Sequence, residues 1–397
     1  MEFNWIYCAI FFCASAIVVF AFVPICKKIA FKIGAVDEPS KRRVHKKTTA
    51  RLGGVAIFLG ICACCALAAV GVKYLNWQIP LSYQNANGVN YYVVALGATF
   101  MFIIGIIDDM KCLPPKTKLI FQIVAACIVC TSGLLLDRVY NPFSNSFIEF
   151  GLFSYPITIF YLVAFANIIN LIDGLDGLAA GISAIVAATI FIFAITQDKA
   201  DAAILSVGII AACIAFLFFN FNPAKIFMGD SGSLTLGFLL GIASLLATAR
   251  TAAVVSMLVP LLAAGVPIID TFSAIVRRTR EHAPVDQADT GHIHHRLLRS
   301  GLSTKKVVLI MWAWTALLSI CGIIMTVAQS GKIDLIVFII ALVFTIVIVF
   351  KLHLFEPVLK HHYNHRSKQD RIKRETLYGM YNPKTNFDKK ETDEKEL

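Results

Sequence analysis

The chain has 397 residues, 58% hydrophobic and only 15% charged, with 36 Lys and Arg against 25 Asp and Glu and a formal net charge of +11. Soluble domains carry roughly a quarter charged residues, so this composition excludes a water-soluble enzyme and requires several membrane spans. No loop interleaves its basic residues with stacking aromatics, so the positive excess points to membrane topology and anionic headgroups, not to nucleic acid.

Apolar runs of about 17 to 25 residues mark membrane helices. In chain order they fall at 5 to 25, 53 to 72, 91 to 107, 119 to 136, 156 to 171, 178 to 195, 202 to 219, 234 to 249, 254 to 276, 307 to 327 and 335 to 354. The expected fold is therefore all-α, a polytopic integral membrane protein of about eleven transmembrane helices. The first run has Glu2 before it and Lys27 and Lys28 after it, the reverse of a cleaved signal peptide. The ninth, containing VPLLAAGVPIIDTF, is expected to be broken by Pro260 and Pro267.

Two runs, 156 to 171 and 234 to 249, are short for a span, and loop charge is an independent check on the count. With the N-terminus out, the inner segments hold 31 of the 36 basic residues and the outer ones only Lys73, Arg138, Lys199, Arg250 and Lys332. The positive-inside rule thus supports an N-out, C-in arrangement. Nine of the eleven cysteines lie inside apolar runs, Cys26 ends one and Cys112 is in a loop, which reads as small buried hydrophobes. Composition shifts near Leu354, so residues 1–355 are expected to form a transmembrane catalytic domain, with 277–306 its largest catalytic loop, and 356–397 a basic, polar cytoplasmic tail.

The polar motifs all fall on the inner side. GIIDDMKCLPPKTKL carries Asp108, Asp109, Lys116 and Lys118; NIINLIDGLDGLAAG carries Asn167, Asn170, Asp173 and Asp176. FNFNPAKIFMGDSGSLTLG holds Asn220, Phe227 and Asp230, and GHIHHRLL holds His292, His294, His295 and Arg296. Any one aspartate reads equally well as a helix cap. Five on one membrane edge, with no comparable group opposite, read as a site. Gathered together they repel and need a cation, and carboxylates with an amide such as Asn170 suit Mg2+ completed by substrate phosphates. The facing Lys116, Lys118, histidines and Arg296 suit phosphate oxygens. Phe227 reads first as core and second as a base-stacking platform. Asp270 either lines the same cavity or caps a broken helix. A zinc site in GHIHH is an alternative, although neither helix nor strand spacing aims three imidazoles at one atom.

Together these motifs resemble the polyprenyl-phosphate N-acetylhexosamine-1-phosphate transferases, over roughly residues 1 to 355. The resemblance implies a UDP-sugar and undecaprenyl phosphate as substrates, UMP as product, the lipid bilayer as setting, and Mg2+ (Mn2+ as substitute) held by Asn170 and Asp230. It assigns Asp108, Asp109, Asp173 and Asp176 to catalysis. Asn220, Phe227 (on uracil), His292, His294, His295, Arg296, Lys116 and Lys118 go to substrate binding. It places the active site on the cytoplasmic face of a bacterial cytoplasmic membrane and allows a homodimer. Ile293 separates His292 from His294, which resembles the GlcNAc-1-phosphate branch; the phospho-MurNAc-pentapeptide branch, the alternative, shows three consecutive histidines. DDMKCLPP lacks the further acid of many relatives. RLGG at 51–54 resembles a family motif that adds His45, Lys46 and Arg51 as phosphate contacts. A cation-coupled transporter fits less well, since its carboxylates belong at the midplane of a repeat and this chain has none.

Overall fold

A computed structural model describes residues 5–38, 48–77, 88–141, 146–248, 261, 264–280, 292–328 and 331–351. The tail, residues 281–291 of the long loop, most of the first half of the ninth run, and His45 and Lys46 lie outside the described residues.

The helices are α1 (Trp5–Ile33), α2 (Gly53–Tyr74), α3 (Tyr91–Lys111), α4 (Pro115–Thr131), α5 (Ser154–Ile172), α6 (Leu178–Thr196), α7 (Ala200–Asn220) and α8 (Gly229–Thr248). After them come α9 (Gly265–Arg280), the short α10 (Ile293–Arg299), α11 (Thr304–Ala328) and α12 (Gly331–Lys351). Among the described residues eight, namely α1, α2, α3, α5 with the turn before it, α6, α7, α8 and α11, are long and apolar enough to cross a membrane. The protein is thus all-α and polytopic, as its composition requires. Both short runs are helices of near-spanning length, 19 residues in α5 and 20 in α8. The fourth run is the 17-residue α4, the eleventh is α12 with a shorter apolar stretch, and the ninth is described chiefly through α9. Pro267 sits in the first turn of α9, where a proline costs no hydrogen bond.

Two small antiparallel ladders depart from the expected all-helical picture. Val36–Asp37 (β1) pairs with Thr49–Ala50 (β2), and Arg138–Asn141 (β3) with Ser146–Glu149 (β4). The first ladder matters to the site. Phe227 N–H donates to Ala50 O at 2.8 Å, while Gly53 and Gly54 N–H donate to Phe227 O and Met228 O at 2.9 and 2.8 Å. This stitching lays the start of α2 against the start of α8 and leaves Arg51 between them.

α8 is buried along nearly its whole length, contacting α2, α3, α5, α6 and α7. Lipid gives helices no hydrophobic reason to associate, so close backbone approach and interhelical hydrogen bonds must hold them. Gly54, Gly105 and Gly237 supply the approach, each facing backbone atoms across a helix contact. Tyr161 and Ser244 hydroxyls pair at 2.6 Å between α5 and α8, and Gln122 and Asn167 exchange amide hydrogen bonds between α4 and α5. Asn167 is therefore a helix clip. A Cβ at Gly54 would collide with the Gly232 backbone, which has no side chain to move aside. Gly54→Leu is expected to abolish the folded yield in detergent, read as loss of the monodisperse peak; Val55→Leu, its half-buried neighbour, serves as the tolerated control.

Candidate active site at the acid end of the bundle

The end of α3, the starts of α4 and α8, the α5–α6 turn and the segment before α2 meet at one end of the bundle. Asp109, at the last turn of α3, has a fully buried side chain aimed at the start of α8. Its Oδ1 accepts from Asp230 N–H at 2.7 Å and its Oδ2 from Ser231 N–H at 3.0 Å. The first N–H groups of a helix lack intrahelical partners, and here a carboxylate from another helix satisfies two of them and favours the positive end of the dipole. Asp108, one residue earlier, turns away. Its Oδ1 accepts from Leu113 N–H at 2.8 Å, and its Oδ2 lies 2.6 Å from Lys118 Nζ, an ion pair whose angles fall outside hydrogen-bond geometry.

Asp230 is the meeting point. Its Oδ1 accepts from the Asn170 amide and lies 3.2 Å from Lys118 Nζ; its Oδ2 is 3.6 Å from Arg51, which also reaches Asp109 at 3.7 Å. The Asn170 amide also donates to Ser233 Oγ at 2.8 Å, and its oxygen accepts no hydrogen bond from the described residues. Three carboxylates thus face two cations, an excess of one negative charge. Among the described residues no three His, Cys, Asp or Glu side chains converge as a self-sufficient metal site. Asp230, Asn170 and Asp108 do offer hard oxygen donors of the kind Mg2+ takes when phosphates complete its shell. The donor set fits the ion, though Lys118 and Arg51 already offset most of the acid charge.

The Asp173–Gly177 turn links this cluster to the histidines. Asp173 is half-buried, makes no side-chain hydrogen bond to described residues, and has its carboxyl pushed up to about 8 by burial and by Asp230, against the pull of Arg51. Its neighbour Gly174 faces the His294 ring. The His292 and His294 rings stack at 5.6 Å, and His295 lies 4.4 Å from His294. Asp270 Oδ2 is 3.0 Å from His292 Nδ1, and its Oδ1 accepts from Ile293 N–H at 2.8 Å. One carboxylate both caps α10 and orients a histidine, the role that second carboxylates serve for functional imidazoles. Parallel rings, one tied to Asp270, do not converge on a zinc ion.

Some residues assigned to catalysis or substrate binding have protein partners of their own. Asp176 accepts from Asn222 Nδ2 and Ala224 N–H at 2.9 and 3.0 Å, holding the loop before α8. Asn220 is buried, donating to Ile226 O and accepting from Gly177 N–H. Both hold loops in place, Asp176 through its Oδ2. Lys116 is exposed outside the cluster, whereas Lys118 is inside it. Phe227 is half-buried, with its backbone tied to Ala50 and Gly53, and Arg296 is half-buried on α10. In the sequence Arg51 stands out only through the resemblance of RLGG to a family motif, and Asp270 is left open; long-range pairing places both.

Burial holds His294 well below its ordinary value, at about 3, with His295 and His292 adding to the effect and Asp270 opposing it. Between 6.5 and about 3 the unfolded chain binds a proton there that the folded one refuses, so stability falls as pH drops through that window. His294→Gln is expected to be destabilised at pH 7 by lost packing, with the gap in melting temperature to wild type narrowing by pH 5. A pH series of thermal melts on both proteins checks this; a constant gap contradicts it.

Fold and site define an integral membrane protein with a mixed acid and base cluster at one end of its helical bundle. The family model described as glycosyl transferase family 4 matches residues 91–248. A probable undecaprenyl-phosphate N-acetylglucosaminyl 1-phosphate transferase of Bacillus subtilis is 40% identical over 83% of this chain and 87% of its own. A decaprenyl-phosphate N-acetylglucosaminephosphotransferase of Mycobacterium tuberculosis is 36% identical over 77% and 79%. A phospho-N-acetylmuramoyl-pentapeptide-transferase of Desulforudis audaxviator is 30% identical over 76% and 91%. The chain belongs to glycosyl transferase family 4.

Proposed function

We propose that this protein is a phosphotransferase that moves a sugar 1-phosphate, GlcNAc 1-phosphate, from a UDP-sugar to undecaprenyl phosphate. The products are undecaprenyl-diphospho-GlcNAc and UMP, and the step begins a cell-envelope glycopolymer. Its setting is the bacterial cytoplasmic membrane, with eleven spans, N-out and C-in, and the acid end facing the cytoplasm. The observation that carries the reading is the convergence of Asp108, Asn170 and Asp230 with Lys118 and Arg51 at one bundle end. The Bacillus subtilis relative supports the GlcNAc choice.

In this mechanism an oxygen of the lipid phosphate attacks the β-phosphorus of the UDP-sugar and UMP leaves. A phosphate monoester with a second pKa of about 6 is largely dianionic at neutral pH, so positioning matters more than proton removal. Lys118 and Arg51 draw phosphate oxygens to the cluster, and Asp108 keeps Lys118 aimed there. Asp109 acts through α8, holding the Asp230 turn in place. Mg2+ held by Asp230 and Asn170, or Mn2+ in its stead, supplies divalent charge to the diphosphate when bound. His292, oriented by Asp270, and His295 and Arg296 approach sugar or phosphate from the α10 side, with Phe227 stacking on uracil.

The test is UMP release and lipid product from purified protein with undecaprenyl phosphate and each of several UDP-sugars, with and without EDTA. Turnover with UDP-GlcNAc, lost in EDTA and restored by Mg2+, is expected. Turnover with UDP-MurNAc-pentapeptide alone would move the protein to the other branch, and EDTA-resistant turnover would remove the metal.

A further inference from the structure

A second site lies away from the acid cluster. A partly open cavity of about 410 Å3 sits between α2 and α3, with α7 and α8 behind it. Cys62, Cys65 and Ala69 of α2, Ala95 and Ala98 of α3, and Ile242 of α8 are among its walls. On α3, α7 and α8 the lining falls in the half remote from the acid end, and on α2 it runs from Phe58 to Val72. Along α3, Thr99 is roughly 15 Å from Asp109 at 1.5 Å per residue. The α2 lining residue nearest the acids is Phe58, whose ring stacks on Phe102 with centroids 4.1 Å apart and planes 16° apart. At the far end Tyr91 donates to Asp201 Oδ2 at 2.7 Å.

The lining is overwhelmingly apolar, and its Thr99 hydroxyl donates to Ala95 O within α3. Such a cavity stays dry, since water needs two to four polar partners. Left empty, its walls forfeit their dispersion contacts. α2 and α3 are membrane spans with Val70, Leu96 and Ile103 exposed to lipid. What reaches an opening at that depth is hydrocarbon from the bilayer.

We infer that this cavity is a binding site for one acyl chain of a membrane glycerophospholipid, entering from the leaflet opposite the acid cluster. The position of the α3, α7 and α8 lining decides between lipid sources: it is nearest the leaflet opposite Asp230, where a phospholipid headgroup sits and the phosphate of a polyprenyl chain held at Asp230 does not. The inference is independent of which sugar the acid end handles.

The full chain, purified in mild detergent with phosphatidylglycerol, is examined by native mass spectrometry and by peptide-level alkylation of Cys62 and Cys65 with N-ethylmaleimide. One retained phospholipid is expected. Exhaustive detergent exchange should raise alkylation of Cys62 and Cys65 several-fold while leaving Cys112, in the loop after α3, unchanged; phosphatidylglycerol added back should restore protection. Ala98→Phe, which fills the cavity, should lose the retained lipid, and Leu96→Phe, on the lipid-facing side, should keep it. Unchanged alkylation after lipid removal, retention of polyprenyl phosphate in place of phospholipid, or lipid kept by a folded Ala98→Phe protein would each overturn the assignment. Should Ala98→Phe fail to fold, the protection of the wild-type thiols decides.

Discussion

Asp230→Asn is expected to lower transfer by about a thousandfold or more, the scale on which a preorganised charge acts in a site, while the protein keeps its melting temperature. Asp230 sits with Asp108 and Asp109 against only Lys118 and Arg51. Removing one carboxylate charge leaves two acids facing two cations, a balance the fold tolerates at least as well. Asparagine retains an oxygen for Lys118 and Asn170, so the turn loses charge and little else. What disappears is the negative excess available to a divalent cation and its diphosphate. Lys118→Met should do the reverse, leaving the buried Asp108 and the adjacent Asp230 short of a partner and lowering the melting temperature together with activity. Parallel melts and UMP-release assays separate the two variants. Wild-type turnover in Asp230→Asn would remove it from the chemistry.

The bundle was legible because a bilayer leaves the chain little choice: spanning segments must be helical and about 20 residues long. The boundaries were less so. Hydropathy starts the eighth run at Leu234, yet α8 begins at Gly229, since Asp109 from another helix satisfies the N–H groups of its polar first turn. The motif positions were legible as a set and illegible in their roles. An acid that receives a substrate and an acid that ties down a loop have the same composition and spacing, and only the partner distinguishes them. Asp176 and Asn220 found backbone partners, Asn167 found Gln122, and the Asp173 carboxyl takes no hydrogen bond from the described residues. Arg51 reached the cluster because a two-residue ladder and the Phe227–Met228 backbone place it there, pairings that no local pattern encodes.

The adjacent aspartates should separate cleanly by experiment, because neighbours on a helix point about 100° apart and meet different elements. Asp109→Ala strips partners from two buried N–H groups at the start of α8 and from Arg51, a loss on the order of 3 kcal/mol in stability. The turn carrying Asp230 is then unsupported, so activity falls as well. Gly229→Ala is expected to mimic it: Gly229 has φ +69°, a conformation costly for a side chain, and its Cβ would collide with Arg51 O and the Asp109 carboxylate. Asp108→Asn keeps an acceptor for Leu113 N–H and loses only the charge facing Lys118. It should melt near wild type and lose about a hundredfold or more in turnover, the range for a misplaced catalytic group. The decisive measurement is the melting temperature and UMP release of all three variants in one detergent. If Asp108→Asn were the unstable protein and Asp109→Ala the stable, inactive one, the capping role would pass to Asp108 and the arrangement around α8 described above would be wrong.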